Sequence, residues 1–404
     1  MKKVTYAIAL VVVSAILWAC TKDLENDVPS RRLDMATLQV DYTDLINKAA
    51  FGGWNMPSTN NARVALGRAL FYDNKLSLNN TVSCGSCHKQ QFGFADNVAF
   101  SDGFKGVNAL RNSQPINNIT SFSGSLFWDG RADSLGQLVT MPISNHIEMG
   151  FERLENLPAK LQATDYYPQL FQAAYGTPDV TVQRIGSALR DFIFILTSRD
   201  TRFEQLSNAN FAGNTAINIW TPPPSGLTGF ERIGFDIFIG KGQCANCHSG
   251  NNLEGWDAAN TGLELNYTDK GTGAINPNMP EGSFRIPPLR NIALTAPYMH
   301  DGRFKTLEEV IDFYDHGVQA HKDLDYRLRD GFGGGFFGDP LVDPFFGPNG
   351  QPIIVDENGN PVATQPRRLN LTPLEKKGLK AFLETLTDYS FITEQRYSNP
   401  FRAN

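Results

Sequence analysis

Cys84-Gly85-Ser86-Cys87-His88 and Cys244-Ala245-Asn246-Cys247-His248 decide the fold. Each is C-x-x-C-H. Two thiols three residues apart can each form a thioether to a vinyl group of one haem, and the histidine that follows is placed to coordinate its iron. At this composition a single such motif arises by chance in roughly one chain in a thousand, so two of them predict two covalently bound c-type haems. Zinc ligation would leave the histidine after each pair unexplained, and the pairs stand 160 residues apart. A thioredoxin-like site needs one pair in a βαβ setting, and a disulfide across so short a loop would be strained.

The segments leading into the two motifs repeat each other. Leu66-Gly67-Arg68-Ala69-Leu70-Phe71 begins 18 residues before Cys84, and Ile233-Gly234-Phe235-Asp236-Ile237-Phe238 begins 11 residues before Cys244. Both read apolar-Gly-x-x-apolar-Phe on a helical stretch. This predicts an internal duplication, two cytochrome c-like units each with a helix packed on its own haem. Between them, Ile185, Leu189, Phe192, Ile193 and Leu196 recur at helical spacing as a core stripe. Thr372-Pro373-Leu374-Glu375 reads as N-cap, first-turn proline and capping-box glutamate, with Leu379, Phe382, Leu383 and Leu386 on one face of the helix that follows. Strand signal is confined to short pieces. The expected fold is therefore mostly α: an N-terminal haem domain over 51–221, a C-terminal haem domain over 222–395, and an interface between them. Pro222 to Gly229 reads as the linker, and residues 331–366, rich in Gly, Phe, Pro and Asp, as a long surface loop.

The chain has 404 residues, of which 41% are apolar and 19% charged, so it can build real cores and is not disordered overall. A net charge of −6 gives nothing to drive counterion release from nucleic acid. Lys2 and Lys3 precede an apolar run from Ala7 to Leu17, which suits a secretory signal over 1–19 better than a bilayer span. Leu17-Trp18-Ala19-Cys20 resembles a lipobox, in which Cys20 is lipidated and becomes the new N-terminus. The mature protein is thus expected to be exported and periplasmic, touching the membrane only through that anchor, with residues 20–50 as a polar tether.

Ligand counting separates the two haems. Each motif histidine supplies one axial ligand, and the remaining histidines are 146, 300, 316 and 321. None lies between Lys89 and Asn145, so the first iron has no obvious nearby histidine for its sixth site. His146 or Met149 would be the residues to close it. An open iron binds a small oxidant. Glu148 lies in the same stretch, and a partly buried carboxylate beside the iron can move a proton between peroxide oxygens.

Leu66 to Phe71, Ser83 to His88, Gly93-Phe94-Ala95-Asp96, Arg111-Asn112, Phe127-Trp128-Asp129-Gly130-Arg131, Glu148-Met149, Cys244 to His248, Pro288-Leu289-Arg290-Asn291 and Thr295 to Gly302 follow in order. Together they resemble the bacterial di-haem cytochrome c peroxidases and the related MauG enzymes, over about residues 50–390. The resemblance implies that the N-terminal haem, with His88 proximal, is the peroxidatic one. It implies that Glu148 is the acid–base glutamate and that Trp128 lies between the haems as an electron relay. It also implies a calcium ion held by Asn112 with the backbone of Thr295 and Pro297, whose hard oxygen donors suit that ion.

Two departures matter. The peroxidases carry a distal histidine before Arg111-Asn112, where this chain has Phe104, so the first haem is expected to stay open. The family glutamine four residues before the proline matched by Pro142 is Leu138 here, with Gln137 beside it. At the second haem, the peroxidase methionine position is Tyr314, as in MauG; a phenolate favours ferric iron. Met299 and His316 are the alternative sixth ligands.

Three functions compete. The leading one is reduction of hydrogen peroxide with electrons from a small donor protein of cytochrome or cupredoxin type. The second is a MauG-like, peroxide-dependent oxidation of a partner protein or organic substrate. The third is a plain electron carrier, which needs both irons six-coordinate. A homodimer is a possible assembly. Intact-mass analysis of native protein is expected to show two haem additions; fewer than two would overturn the reading of the motifs.

Overall fold

The structure is a computed structural model that describes residues 31–50, 58–119, 126–207, 219, 223–250, 252–330 and 365–403. The signal and lipobox readings, and nearly all of the loop expected over 331–366, lie outside these residues.

Two helix pairs organise the chain. α1 (Asn61–Tyr72) starts where the Asn60 side chain accepts the Arg63 N–H, and α2 (Val182–Ile195) where Thr181 accepts from Arg184. α3 (Gly229–Ile239) and α4 (Pro373–Glu384) each begin with a full capping box, Thr228 with Glu231 and Thr372 with Glu375. α1 crosses α2, and α3 crosses α4, at glycine. A Cβ on Gly67 would lie 2.0 Å from the Ala188 carbonyl oxygen and 2.8 Å from Phe192 Cβ. A Cβ on Gly234 would lie 2.0 Å from the Gly378 carbonyl oxygen and 2.7 Å from Phe382 Cβ. One turn on, the aromatic pairs repeat as well: Phe71 and Phe192 centroids are 5.3 Å apart, Phe238 and Phe382 centroids 5.1 Å. The sequence repeat is thus a repeat of helix contact, with glycine allowing the backbones to meet.

Each pair carries its own core. The first holds Leu66, Leu70 and Phe71 with the whole stripe Ile185, Leu189, Phe192, Ile193 and Leu196. The second holds Phe235, Phe238, Leu379, Phe382, Leu383 and Leu386. At roughly 1.5–3 kcal/mol for each fully buried large side chain, these faces rather than helix propensity hold the pairs. Strands are short: β1 (Arg31–Leu33) pairs antiparallel with β4 (Phe401–Ala403), and β2 (Ala258–Asn260) with β3 (Ser283–Arg285).

The expected segment boundaries need correction at both ends. Residues 31–50 are not a tether. β1 is tied to β4, and Tyr42, Leu45 and Ala49 are buried in the first core. Apolar residues placed among the polar ones of this segment pay for its docking. The C-terminal stretch returns to the first half: Phe391, Tyr397 and Phe401 join the first core. Arg68, buried in α1, anchors that return by donating to the Ser398 carbonyl at 2.7 Å, the Gln395 carbonyl at 3.0 Å and the Thr37 carbonyl at 2.9 Å. In the other direction Phe203 and Ile219, which precede residue 222, belong to the second core.

Gly67→Ala is expected to destabilise the protein by about 1–3 kcal/mol, since the added methyl meets backbone that cannot yield like a side chain. Gly234→Ala should do the same in the second half. Denaturant unfolding of each variant checks this, and unchanged midpoints would show that the helices cross without contact at glycine.

Candidate functional site

α1 ends at Tyr72, and the first motif forms a single helical turn, Cys84–Cys87, on top of that end. A Cβ on Gly85 would stand 2.5 Å from the Tyr72 ring, so the small residue between the cysteines lets the motif sit against α1. In the second half, Cys244–Asn246 forms a 3₁₀ turn shortly after α3.

Both histidines are held in the same way. His88 Nδ1 lies 2.9 Å from the Phe94 carbonyl, and His248 Nδ1 lies 2.9 Å from the Leu253 carbonyl. Phe94 (φ 61°) and Leu253 (φ 56°) both adopt left-handed backbone, which turns those carbonyls toward the rings. A proton on Nδ1 leaves Nε2 with its lone pair for a metal. Burial pushes both imidazoles toward the neutral form that ligates, His248 down to about 4. The four motif cysteines are free of disulfides.

Each motif opens on a cavity. The first, of about 700 Å³, is lined by Cys84, Cys87, His88, Trp128, Glu148 and Met149 among others. The second, of about 220 Å³, is lined by Cys244, Cys247, His248, Trp128, Met299 and Tyr314 among others. Paired thiols, a neutral imidazole with a fixed tautomer and largely apolar walls fit a covalently held haem in each.

Glu148 faces the first cavity, and Asn145 Nδ2 donates to its Oε1 at 3.1 Å. Burial raises its carboxyl above the ordinary range, with Arg131 opposing. His146 sits exposed at the cavity rim, whereas Met149 is packed into the first core. Phe104 is absent from the cavity lining. The end of its ring occupies the place a Cβ of Gly150 would take, with Cζ 2.4 Å from that position, and its N–H donates to the Glu148 carbonyl at 2.9 Å. Leu138 lines the cavity, while the Gln137 side chain accepts from the Asp133 N–H at 2.8 Å.

Trp128 lines both cavities. Its indole N–H donates to the Asn112 carbonyl at 2.9 Å, and its own carbonyl accepts from the Arg285 N–H at 2.9 Å. Arg111 pairs with the neighbouring Asp129 and, at 2.6 Å, with Asp269 of the second half. That clasp across the halves has no local sequence signal, because its partners lie 158 residues apart. The same is true of the Phe94 and Leu253 carbonyls, which act through backbone rather than side chain.

Tyr314 lies in a π-helical turn, Phe313–Gly317, and faces the second cavity together with Met299. Such turns frequently mark functional positions. Burial raises the Tyr314 hydroxyl pKa, so a phenolate there needs a cation beside it. His316 turns outward, with its side chain 66% exposed and Nδ1 3.3 Å from Asp315. Asn112, Thr295 and Pro297 line one wall of the second cavity; Asn112 Nδ2 donates to the Val98 and Ala99 carbonyls.

The family model described as "Di-haem cytochrome c peroxidase" matches residues 61–211. The chain is 31% identical over 272 residues to the methylamine utilization protein MauG of Methylorubrum extorquens, covering 66% of this chain and 72% of that protein. It is 32% identical over 254 residues to the cytochrome c551 peroxidase of Nitrosomonas europaea, covering 61% of this chain and 71% of that one. Among solved structures, a MauG-like protein associated with microbial copper homeostasis superposes with a TM-score of 0.66 at 28% identity, over 86% of this chain and 99% of that one. The diheme peroxidase BthA from Burkholderia thailandensis shares the fold, with a TM-score of 0.58 at 21% identity.

The raised Glu148 pKa has a consequence for stability. The stabilisation from keeping this carboxyl protonated is complete below its unfolded pKa and is lost as pH rises through the raised folded value. Glu148→Gln removes that loss. Its melting temperature relative to wild type should therefore rise as the pH climbs from the ordinary carboxyl range through the raised folded value. Parallel melting profiles would mean that the carboxyl is not desolvated.

Proposed function

Because the chain belongs to the di-haem cytochrome c peroxidase family and is an oxidoreductase of the peroxidase type, we propose that it reduces hydrogen peroxide at the first cavity, with electrons entering through the second. The observation that carries this reading is the pair of cavities, each opening on one C-x-x-C-H motif, with Trp128 as a wall common to both.

The family implies two c-type haems, held here through Cys84, Cys87 and His88, and through Cys244, Cys247 and His248. When bound, they supply the one-electron redox chemistry that breaking an O–O bond requires. The chain supplies the rest. Peroxide takes up two electrons and two protons and leaves as two waters. Glu148 is the group placed to move a proton from the near oxygen to the far one. Burial holds its carboxyl above the ordinary range, so it keeps a proton to higher pH than a solvated glutamate, and Asn145 fixes its direction. Phe104, packed on Gly150, provides no side-chain ligand to the first cavity, which supports a site open to peroxide at rest. Trp128, hydrogen-bonded at its indole and its carbonyl, provides a rigid aromatic between the two sites. Tyr314 would help hold the second iron, in the same cavity as His248, with Met299, which also lines that cavity, as the alternative. Asn112, with the backbone of Thr295 and Pro297, would offer neutral oxygens for a calcium ion at the edge of that cavity.

Export with a lipid anchor at Cys20 and a small periplasmic donor protein complete the proposal. No helix among the described residues is long and apolar enough to cross a membrane. A MauG-like oxidation of a partner protein or organic substrate is the second reading, favoured by Tyr314 in the second cavity.

One experiment separates these outcomes. Peroxide is added to the ferric protein while the Soret and near-infrared bands are followed, with and without a reduced small cytochrome. Fast turnover that falls at least tenfold in Glu148→Gln, at full haem content, is expected of the peroxidase. A long-lived oxidised state with poor cytochrome turnover identifies the MauG-like reading. Normal turnover in the variant removes Glu148 from the mechanism.

A further inference from the structure

Arg367 stands out among the arginines around the second cavity. Its Nη2 donates to the Gly242 carbonyl at 3.1 Å. Its Nε and Nη1 are shut off from solvent and have no hydrogen-bond partner among the described residues. A guanidinium with unpaired N–H groups in a low-dielectric site is costly. Some acceptor outside the described protein atoms is therefore expected there.

The cavity identifies the class of that acceptor. Arg285, Arg327 and Arg367 all line it, and among the described residues no aspartate or glutamate does. Arg327 is already matched, by Asp325 at 2.8 Å and Asp257 at 2.9 Å. Arg367 has no such carboxylate among the described residues. Its position is also set by the backbone. Residues 365–367 run antiparallel to 328–330: the Asp330 N–H donates to the Gln365 carbonyl, and the Arg367 N–H to the Leu328 carbonyl, both at 2.8 Å. Gly242, which receives Nη2, lies against the first cysteine of the motif; a Cβ there would be 3.1 Å from Cys244 Sγ. Arg367 thus reaches into the cavity beside the thioether position, held at one N–H group and offering the others.

We propose that Arg367 binds a haem carboxylate, one of the two propionates of the second haem, and by holding that charge raises the reduction potential of this haem. The assignment rests on the reading that a c-type haem occupies the second cavity. A carboxylate accepts parallel N–H bonds from a guanidinium in fixed planar geometry, which a lysine cannot reproduce. Arg367 is a positioning residue and makes no contact with peroxide.

The test compares wild type, Arg367→Gln and Arg367→Lys, each as full-length protein shown by intact mass to carry two haems. Resonance Raman of the propionate-bending modes and a spectroelectrochemical titration are read, with the first haem as internal reference. In Arg367→Gln a propionate band should shift, and the reduced fraction of the second haem at a fixed poise should fall several-fold, because a cation that favours the less positive iron state is gone. Arg367→Lys should shift the band while keeping the potential near wild type, which a merely structural role would not do. If Arg367→Gln does not accumulate with two haems, the lysine variant decides alone through its band. Wild-type bands and potentials in the variants would overturn the assignment and leave the two-haem reading intact. A wild-type chain carrying a single haem would overturn both.

Discussion

Everything in this structure depends on two helix crossings close enough that a methyl group could not fit between them. Gly67 meets the Ala188 backbone, and Gly234 meets the Gly378 backbone. Each crossing fixes the end of one helix, and the cysteine motif is built directly beyond that end. The aromatic residues one turn further on then wedge the pair into a single core. A wider crossing would leave each motif without a floor, and the cavity beside it without a defined shape.

The two halves repeat this device and then diverge electrostatically. Both histidines are fixed by a carbonyl from a left-handed residue and kept neutral by burial. The first cavity nonetheless includes carboxylates, with Glu148, Asp102, Asp129 and Asp269 in its lining. The second has arginines and no described acid. Both cavities are thus lined by arginines, Arg285 being common to the two, and carboxylates are added only in the first among the described residues.

The halves are also woven together. Phe203 and Ile219 fill the second core, while the C-terminal Phe391, Tyr397 and Phe401 fill the first. Arg111 spans from Asp129 to Asp269, and Asn118 from the Ser198 carbonyl to Asn252 at 2.8 Å each. Trp128 sits in this seam, so its distance to either site is set by the joint rather than by one half.

Much of this was legible in the residues themselves. Two C-x-x-C-H motifs, the glycine repeat before them, the Ile185 to Leu196 stripe and the Thr372 capping box each rest on local spacing, and helices of this length form largely from local pattern and one buried face. The tether read over 20–50 went astray over residues 31–50, because a few apolar residues in a polar stretch have no partner until β4 and Arg68 arrive from elsewhere in the chain. Local chemistry by itself determined the cofactor class, the helical class and the doubling of the unit, since covalent attachment and helix faces are encoded within a few residues. Only the tertiary structure decided that Trp128 is shared, that Phe104 turns onto Gly150, that His316 faces out and that Nε and Nη1 of Arg367 find no acceptor among the described residues. Those are statements about distance between segments up to hundreds of residues apart, and packing and backbone carbonyls, which carry no sequence mark, set such distances.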